Sequence, residues 1–210
     1  MLTVRDLRPE ELAAAGGVAG RALADSPIFR FIAGDDVQAR VERALDVFVG
    51  YVDGLPPPQM CALLGAHVVG VCAAVAPGTC VGATAPAAWR DAPEEIGPPG
   101  DETRAVAVWS LYYRHDLGER HWHVGPVAVE PRLQGAGIGG AMVAALCARF
   151  DEAGEMAWLE TDKPENVVFY RRHGFAVVDE IEAYGFTTWF MRRDPQPPED
   201  RPGEASRPGA

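Results

Sequence analysis

A strand, a glycine-rich loop and a helix are predicted in succession over residues 124–140, and this junction constrains the fold more than any other segment. The segment reads VGPVAVEPRLQGAGIGG, with glycines at positions 135, 137, 139 and 140. Such a junction points several backbone N–H groups at one spot and adds the positive end of a helix dipole. Glycine also lets an anion approach the main chain closely. The sequence therefore predicts a phosphate or pyrophosphate site.

The glycine spacing is compatible with a dinucleotide-binding loop. Gly135, Gly137 and Gly140 match G-x-G-x-x-G, and Glu160 follows about 20 residues later, as that fingerprint requires. In dinucleotide folds, however, this loop usually follows the first strand, with several strand–helix units after it. Here the loop comes late in the chain. A P-loop is excluded because no Gly-Lys-Ser or Gly-Lys-Thr follows the glycines.

A second interpretation of the same loop starts at Gln134, which begins the pattern Gln-x-x-Gly-x-Gly. A separate block, LETDKPENVVFYRRHGF at residues 159–175, carries Asn166 and Tyr170 and ends in Gly-Phe. Together, in this order, the two blocks resemble the GNAT superfamily of acyl-CoA N-acyltransferases, whose signature is Q/R-x-x-G-x-G/A. The resemblance covers residues 105–193, and the layout is similar to the branch that contains puromycin N-acetyltransferase.

The order of predicted elements is also similar to the GNAT layout. Strands are predicted at residues 2–7, 59–65, 67–76, 121–129, 156–160, 175–183 and 185–192. Helices are predicted after residue 8 and at residues 28–32, 41–52, 138–150, 165–173 and, with a less regular pattern, 102–117. The resemblance implies an α/β (α+β) fold with a mixed, mostly antiparallel twisted sheet, splayed in the middle, and helices on both faces. We expect one domain at 1–194, with core motifs at 121–175, and a disordered proline-rich tail at 195–210.

The composition limits the partners of this chain. Its formal net charge is −11 and its pI is near 4.9, which argues against nucleic acid, since phosphate binding requires a basic patch. No apolar run is long enough to span a membrane and the N-terminus is no signal peptide, so a cytoplasmic location is expected. The four cysteines lie among small apolar residues, as buried thiols do in a reducing compartment. The oligomeric state stays open, with a homodimer as one alternative.

The GNAT resemblance implies acetyl-CoA as cosubstrate and no metal. Backbone N–H groups of the loop would hold the pyrophosphate, and Gln134 would shape the loop. Pro126 cannot donate to a sheet ladder, so Gly125-Pro126 predicts a bulge or the end of pairing. Backbone groups after it would pair with the pantetheine amides, and the Val127 N–H would bond the thioester carbonyl. The expected cofactor-binding residues are Val127, Ala128, Val129, Gln134, Gly135, Ala136, Gly137, Ile138, Gly139, Gly140, Asn166 and Tyr170.

Three residues are candidates for proton transfer. The family uses a tyrosine near the leaving sulfur, which implies that Tyr170, four residues after Asn166 on the same helix face, is the general acid. His123 occupies the strand position at which histone-acetylating members carry a Glu base, and imidazole titrates near neutral pH. Glu160 is the alternative base, and deprotonation through water leaves open that no single base exists. His121 shares a strand face with His123, but a metal pair is not expected because no third ligand is evident.

The resemblance implies an acyl-CoA-dependent N-acetyltransferase that acetylates a primary amine of a small molecule by direct transfer in a ternary complex. Trp89 in the long loop 77–100, together with Phe29 and Phe31 after the first helix, could line the acceptor pocket. Three alternatives stay open. They are a catalytically silent acyl-CoA-binding sensor, a protein-acetylating enzyme, and a nicotinamide-dinucleotide enzyme that uses the same glycines.

Overall fold

A seven-stranded sheet forms the centre of the protein, whose computed structural model describes residues 1–54, 58–79 and 90–197. The strands are β1 (Leu2–Asp6), β2 (Gln59–Leu64), β3 (His67–Val75), β4 (His121–Val129), β5 (Met156–Thr161), β6 (Ala176–Ala183) and β7 (Phe186–Arg193). Their spatial order is β1-β2-β3-β4-β5-β7-β6. Only β4 and β5 pair in parallel among these strands, and all other neighbours are antiparallel. The mixed, mostly antiparallel sheet expected from the sequence is confirmed.

Six α-helices lie within the described residues, and capping side chains mark several of their starts. The helices are α1 (Leu12–Leu23), α2 (Pro27–Ala33), α3 (Val37–Val52), α4 (Glu102–His115), α5 (Ile138–Ala153) and α6 (Pro164–Arg171). Short 3-10 helices precede α1 at Pro9–Glu11 and α5 at Pro131–Leu133. Ser26, Asp36 and Asp101 each accept a hydrogen bond from a first-turn N–H, of α2, α3 and α4 respectively. The ambiguous segment 102–117 is therefore largely helical, as predicted.

Helices cover both faces of the sheet because strand side chains alternate in direction. On one face, α5 packs against the middle strands through Met142, Leu146 and Phe150, which are completely buried. On the other face, α1 and α3 cover β3 and β4 around Phe48, while α2 and α4 cover β5 and β7 around Trp158. The middle of the sheet thus lies between two layers of helices.

The sheet separates between β4 and β5, where the sequence predicted a splay. Pairing between these strands joins only His121–His123 of β4 to residues 156–158 of β5. Beyond that point β4 keeps β3 as its neighbour. Cys72 and Ala74 of β3 pair with Val127 and Val124 of β4, so one extra β4 residue is accommodated at the Gly125-Pro126 step. This is the bulge that the proline predicted, and residues 124–129 follow β3 alone.

Two predicted loop segments fall partly outside the described residues. Trp89 and Cys80 lie outside them, as do residues 198–210 of the predicted tail. The described end of the long loop carries no helix or strand from residue 90 to 101. Its Gly100 N–H donates to the Ile32 carbonyl oxygen at 2.7 Å, which ties the loop to the end of α2.

The cysteines and the helix lengths agree with the sequence-based expectations. Cys61, Cys72 and Cys147 are buried free thiols. Burial raises the pKa of the Cys147 thiol to about 11, as is typical of a packing group rather than a nucleophile. In the described part of the chain, no helix combines the length and the apolar character that a membrane crossing requires.

Candidate active site

The loop between β4 and α5 has the geometry of an anion site. Gly135 and Gly137 have φ angles of +80° and +82°, and α5 begins at the following residue, Ile138. The first N–H groups of a helix have no partner inside it and form the positive end of its dipole. The Gln134 side chain donates from Nε2 to the Val129 carbonyl oxygen at 3.2 Å. Gln134 therefore ties the loop to the end of β4, as a residue that shapes this loop should.

The four glycines of the loop fall into two pairs, and the physical reason for glycine differs between them. Positions 135 and 137 require glycine because L side chains rarely adopt their positive φ. Gly139 and Gly140 are helical, and an added Cβ would make ordinary contacts, for example 3.7 Å to Phe169 Cζ and 3.8 Å to His173 Nε2. Packing within the protein therefore does not require glycine at positions 139 and 140. Their bare main chain is open to close approach by a ligand.

A cleft of about 750 Å³ lies in front of this loop. The predicted cofactor-binding residues that line it are Val127, Ala128, Val129, Gln134, Gly135, Gly137, Ile138, Gly139, Gly140, Asn166 and Tyr170. Ala136 is the exception among the predicted set. Its N–H instead donates to the Leu133 carbonyl oxygen at 3.4 Å, within the turn that precedes α5. The cleft thus joins the glycine loop to the splayed end of β4 and to one face of α6.

Several further residues that line the cleft were missed from the sequence. They include the basic residues Lys163 and Arg172, the imidazole of His173, and the acids Asp162 and Glu165. Lys163 and Arg172 bring positive charge to this cleft in a strongly acidic protein. Burial, followed by Arg193 and Arg172, lowers the pKa of His173. The sequence does contain a signal for this wall of the cleft, because basic residues stand directly before and directly after α6.

Tyr170 lies where α6 faces the opening in the sheet. Its side chain is buried, and burial is the main cause that raises the pKa of its phenol above the ordinary value. The phenol therefore stays protonated across the neutral range, as a proton donor must. Asn166, one turn earlier on α6, donates from Nδ2 to Thr161 Oγ1 at 3.0 Å. The end of β5 thereby fixes the orientation of this amide.

The two candidate bases, His123 and Glu160, form one hydrogen-bonded pair. His123 Nε2 lies 2.9 Å from Glu160 Oε2, and both side chains are almost completely buried. The other carboxylate oxygen of Glu160 accepts a hydrogen bond from Trp158 Nε1 at 3.2 Å. These residues come together because β4 and β5 are parallel here, with His123 opposite Trp158. Trp158, a buried core residue, thus also orients the carboxylate.

A second, smaller cavity of about 180 Å³ borders β4 from His123 to Val127, and its wall includes the His123–Glu160 pair. Aromatic and aliphatic side chains form most of its wall, and they include Phe29, Val47, Phe48, Tyr51, Trp109 and Tyr112. Phe29 is therefore in the pocket, as the sequence suggested. Phe31 is not, because it stacks on Tyr184 with ring centroids 4.9 Å apart. Trp109 of α4 also lines the pocket.

Asp162 is a second buried acid at this cavity, and sequence reasoning gave it no role. Its Oδ2 accepts the Ile28 N–H at 2.9 Å, which holds the start of α2 against the end of β5. Burial is the main cause that raises the pKa of the Asp162 carboxyl. Asp162 is the last residue of the segment Leu-Glu-Thr-Asp, which ends a predicted strand. Its contact with α2 depends on the folded topology.

The two cavities meet. The described residues that border both of them are Leu23, Ser26, Val127, Asp162, Asn166 and Tyr170. A molecule that extends along the larger cleft from the glycine loop would therefore end beside Tyr170, facing the smaller cavity.

Asp116 corrects one step of the sequence argument. A metal pair at His121 and His123 was set aside because no third ligand was evident. In the fold, the end of α4 brings Asp116 next to both histidines, with Oδ1 at 3.0 Å from His121 Nε2 and 4.0 Å from His123 Nδ1. The three side chains offer ligand atoms that all lie within 4.8 Å of one another.

Comparison with known proteins identifies the family of this chain. The family model for the acetyltransferase (GNAT) family matches residues 26–175. The chain belongs to the GNAT acetyltransferase family. This membership, and a loop that follows the fourth strand of a mostly antiparallel sheet, agree with the acyl-CoA interpretation of the glycines rather than the dinucleotide one.

Solved structures with the same fold extend over almost the whole chain. A protein described as histone acetyltransferase HPA2 and related acetyltransferase, from Corynebacterium glutamicum, is 19% identical, with 94% of this chain and 98% of that chain covered and a TM-score of 0.64. An agmatine N-acetyltransferase is 14% identical, with 92% and 99% covered and a TM-score of 0.66. The PaiA N-acetyltransferase of Thermoplasma acidophilum, in complex with coenzyme A, is 12% identical, with 92% and 99% covered and a TM-score of 0.56. At these identities the likeness concerns the fold.

Proposed function

We propose that this protein transfers an acetyl group from acetyl-CoA to the primary amine of a small molecule, by direct transfer in a ternary complex. The observation that carries this proposal is the meeting of two cavities at Val127 and Tyr170. One is an open cleft that starts at an anion-binding helix end. The other is an apolar pocket that contains a buried acid–imidazole pair. Family membership supports the transfer chemistry.

The larger cleft is proposed to hold coenzyme A. Its pyrophosphate would lie against the N–H groups of the glycine loop and the first turn of α5, with Lys163 and Arg172 adding charge. The pantetheine arm would follow β4 beyond residue 126, where no β5 strand competes for backbone hydrogen bonds. The Val127 N–H would then polarise the thioester carbonyl. This course brings the sulfur to Tyr170.

The smaller cavity is proposed to hold the amine. Its charged side chains among the described residues are the acids Glu160 and Asp162, so a protonated amine is attracted to it. Its aromatic wall suits an apolar body on the same molecule. An acceptor of this kind combines a short hydrophobic group with one primary amine. The small volume of about 180 Å³ favours such a molecule over the folded surface of a protein.

The proposed reaction uses these groups in sequence. The Glu160–His123 pair accepts a proton from the ammonium group, and the free amine attacks the thioester carbon. The C–N bond forms, and negative charge develops on the carbonyl oxygen near the Val127 N–H. The C–S bond then breaks, and the Tyr170 hydroxyl donates its proton to the leaving thiolate. The attacking nitrogen gives up its second proton in the same step, and this proton restores the Tyr170 hydroxyl. The products are an N-acetyl amide and coenzyme A.

A direct test is thiol release from acetyl-CoA over a panel of amines, with the acetylated product identified by mass spectrometry. Short aromatic and aliphatic primary amines should be acetylated faster than polyamines or peptides. The Glu160→Gln variant should lose roughly 100-fold or more in kcat/KM, the usual range for a general base. Glu155→Gln is the matched control, because Glu155 pairs with Arg120 away from both cavities. Acetyl-CoA binding by calorimetry without turnover on any amine would instead indicate a catalytically silent sensor.

A further inference from the structure

Three buried side chains converge behind the acceptor pocket, where α4 ends and β4 begins. Asp116 ends α4, while His121 and His123 project from the same face of β4. Only 2% of the Asp116 and His121 side chains and 7% of the His123 side chain are exposed. Each of the three has one possible ligand atom, and these atoms all lie within 4.8 Å of one another.

The hydrogen bonds around this cluster orient both imidazole rings toward Asp116. His121 Nδ1 lies 2.8 Å from the Glu119 carbonyl oxygen, which can only accept, so this nitrogen carries a proton. His123 Nε2 lies 2.9 Å from the Glu160 carboxylate, which likewise accepts. The remaining nitrogens, His121 Nε2 and His123 Nδ1, would supply the lone pairs for a metal ion, in place of their present contacts with Asp116. Both of these nitrogens face Asp116.

This arrangement is the one that metal-binding histidines adopt in proteins. Such a histidine donates its second N–H to a backbone carbonyl or a carboxylate, which fixes the tautomer and raises the basicity of the ligating nitrogen. Here Glu119 and Glu160 supply one acceptor of each kind.

We propose that Asp116, His121 and His123 bind one Zn²⁺ ion. Two imidazole nitrogens and a carboxylate oxygen form a typical three-residue zinc site with one position left for water. Bonds of about 2.1 Å in a tetrahedron place neighbouring ligand atoms roughly 3.4 Å apart. The present 3.0 and 4.0 Å separations from Asp116 Oδ1 bracket that value, so small side-chain movements complete the site. This binding does not depend on the proposed acetyl transfer.

The ion would also decide which residue serves as base in that transfer. A metal on His123 Nδ1 commits the other nitrogen to its hydrogen bond with Glu160. Glu160 then faces the acceptor pocket as the group that takes the proton, and His123 becomes a positioning residue.

The test is metal binding itself, measured on the full-length protein. Chelator-treated protein is titrated with ZnCl₂ by calorimetry, and metal content after dialysis is measured by mass spectrometry. We expect one equivalent of zinc, and a rise in Tm of roughly 5–10 °C at zinc concentrations 100-fold above Kd. Asp116→Asn and His121→Gln should each weaken zinc binding at least 100-fold, since even loss of an outer partner typically costs 10–100-fold. His67→Gln is the control, because His67 is exposed at the start of β3.

Cobalt substitution keeps the test decisive if a variant fails to fold. Co²⁺ bound to the wild-type protein at this site should give the visible absorption of a four-coordinate ion, and zinc should displace it. Binding of less than one equivalent, or a loss of zinc affinity in His67→Gln as large as in His121→Gln, would overturn the proposal. The second result would indicate adventitious binding by surface histidines.

Discussion

Replacing Tyr170 with phenylalanine isolates the contribution of one hydroxyl group to the proposed reaction. The new ring occupies the same volume, so the aromatic contacts to Phe169 and Phe175, at centroid distances of 5.0 and 5.8 Å, remain. Binding of acetyl-CoA should therefore stay within about twofold, a difference well below 1 kcal/mol. What disappears is an O–H donor at the junction of the two cavities.

The size of the effect follows from the charge that the hydroxyl is proposed to meet. A hydrogen bond to a charged group contributes about 1.5–3 kcal/mol, and each 1.36 kcal/mol corresponds to a factor of ten in rate. We expect kcat to fall roughly 10- to 150-fold while KM for the amine is unchanged. Burial raises the pKa of Tyr170, so the wild-type hydroxyl keeps its proton and the deficit should be the same from about pH 6 to 9.

The assay is the initial rate of thiol release at saturating amine, together with calorimetry of acetyl-CoA binding. Tyr113→Phe is the matched control, since Tyr113 lies outside both cavities and its ring faces Arg90 at 6.0 Å. If kcat of Tyr170→Phe stays within twofold of wild type, Tyr170 is not the proton donor. A deficit confined to KM would refute the reasoning as well.

Three further predictions test the glycine loop, Arg172 in the wall of the larger cleft, and the carboxyl group of Asp162. Gly137→Ala should lower the free energy of unfolding by about 1–2 kcal/mol in urea titrations because φ is +82°, whereas helical Gly140→Ala should not. Arg172→Ala should raise the Kd for coenzyme A about two- to fivefold and reduce its dependence on salt, whereas its neighbour Arg171→Ala should do neither. Asp162→Asn should stabilise the fold at pH 7.5, because burial raises the Asp162 pKa and ionisation is then unfavourable in the folded state. That gain should shrink in urea titrations as pH falls through the raised pKa toward the unfolded value near 3.8, and a variant less stable than wild type at pH 7.5 would contradict this reasoning.

The parts of the site that the sequence could predict are those specified by short-range chemistry. Gln134 and the glycines at 135 and 137 are close in the chain, and the turn that they form needs only local dihedral angles and one contact to Val129. The bulge at Gly125-Pro126 was predictable for the same reason, since proline removes a donor from the ladder whatever the fold. The helix at 102–117 was less certain because its apolar pattern is irregular, although the cap at Asp101 marks its start.

The parts that escaped prediction depend on which elements become neighbours. Asp162 contacts Ile28, which lies 134 positions earlier in the chain. Asp116 is near His121 in sequence, but only the reversal of the chain after α4 turns its carboxylate toward Nε2. Trp109 lies on a helix whose apolar pattern is irregular, and its place in the smaller cavity depends on where that helix crosses the sheet. The hydrophobic periodicity of the sequence does not specify any of these side-chain directions.

A single irregularity in β4 accounts for the position of both halves of the candidate site. Pairing with β5 lasts only through His123, and this short contact is what places Glu160 beside the imidazole. The bulge at Gly125-Pro126 follows immediately, and beyond it β4 continues along β3 alone. Had the pairing continued, the backbone groups after Val127 would bond to β5 and no cleft would separate the strands. The residues that end the pairing thus create the place where an extended cofactor can lie and set its reactive end beside the buried acid.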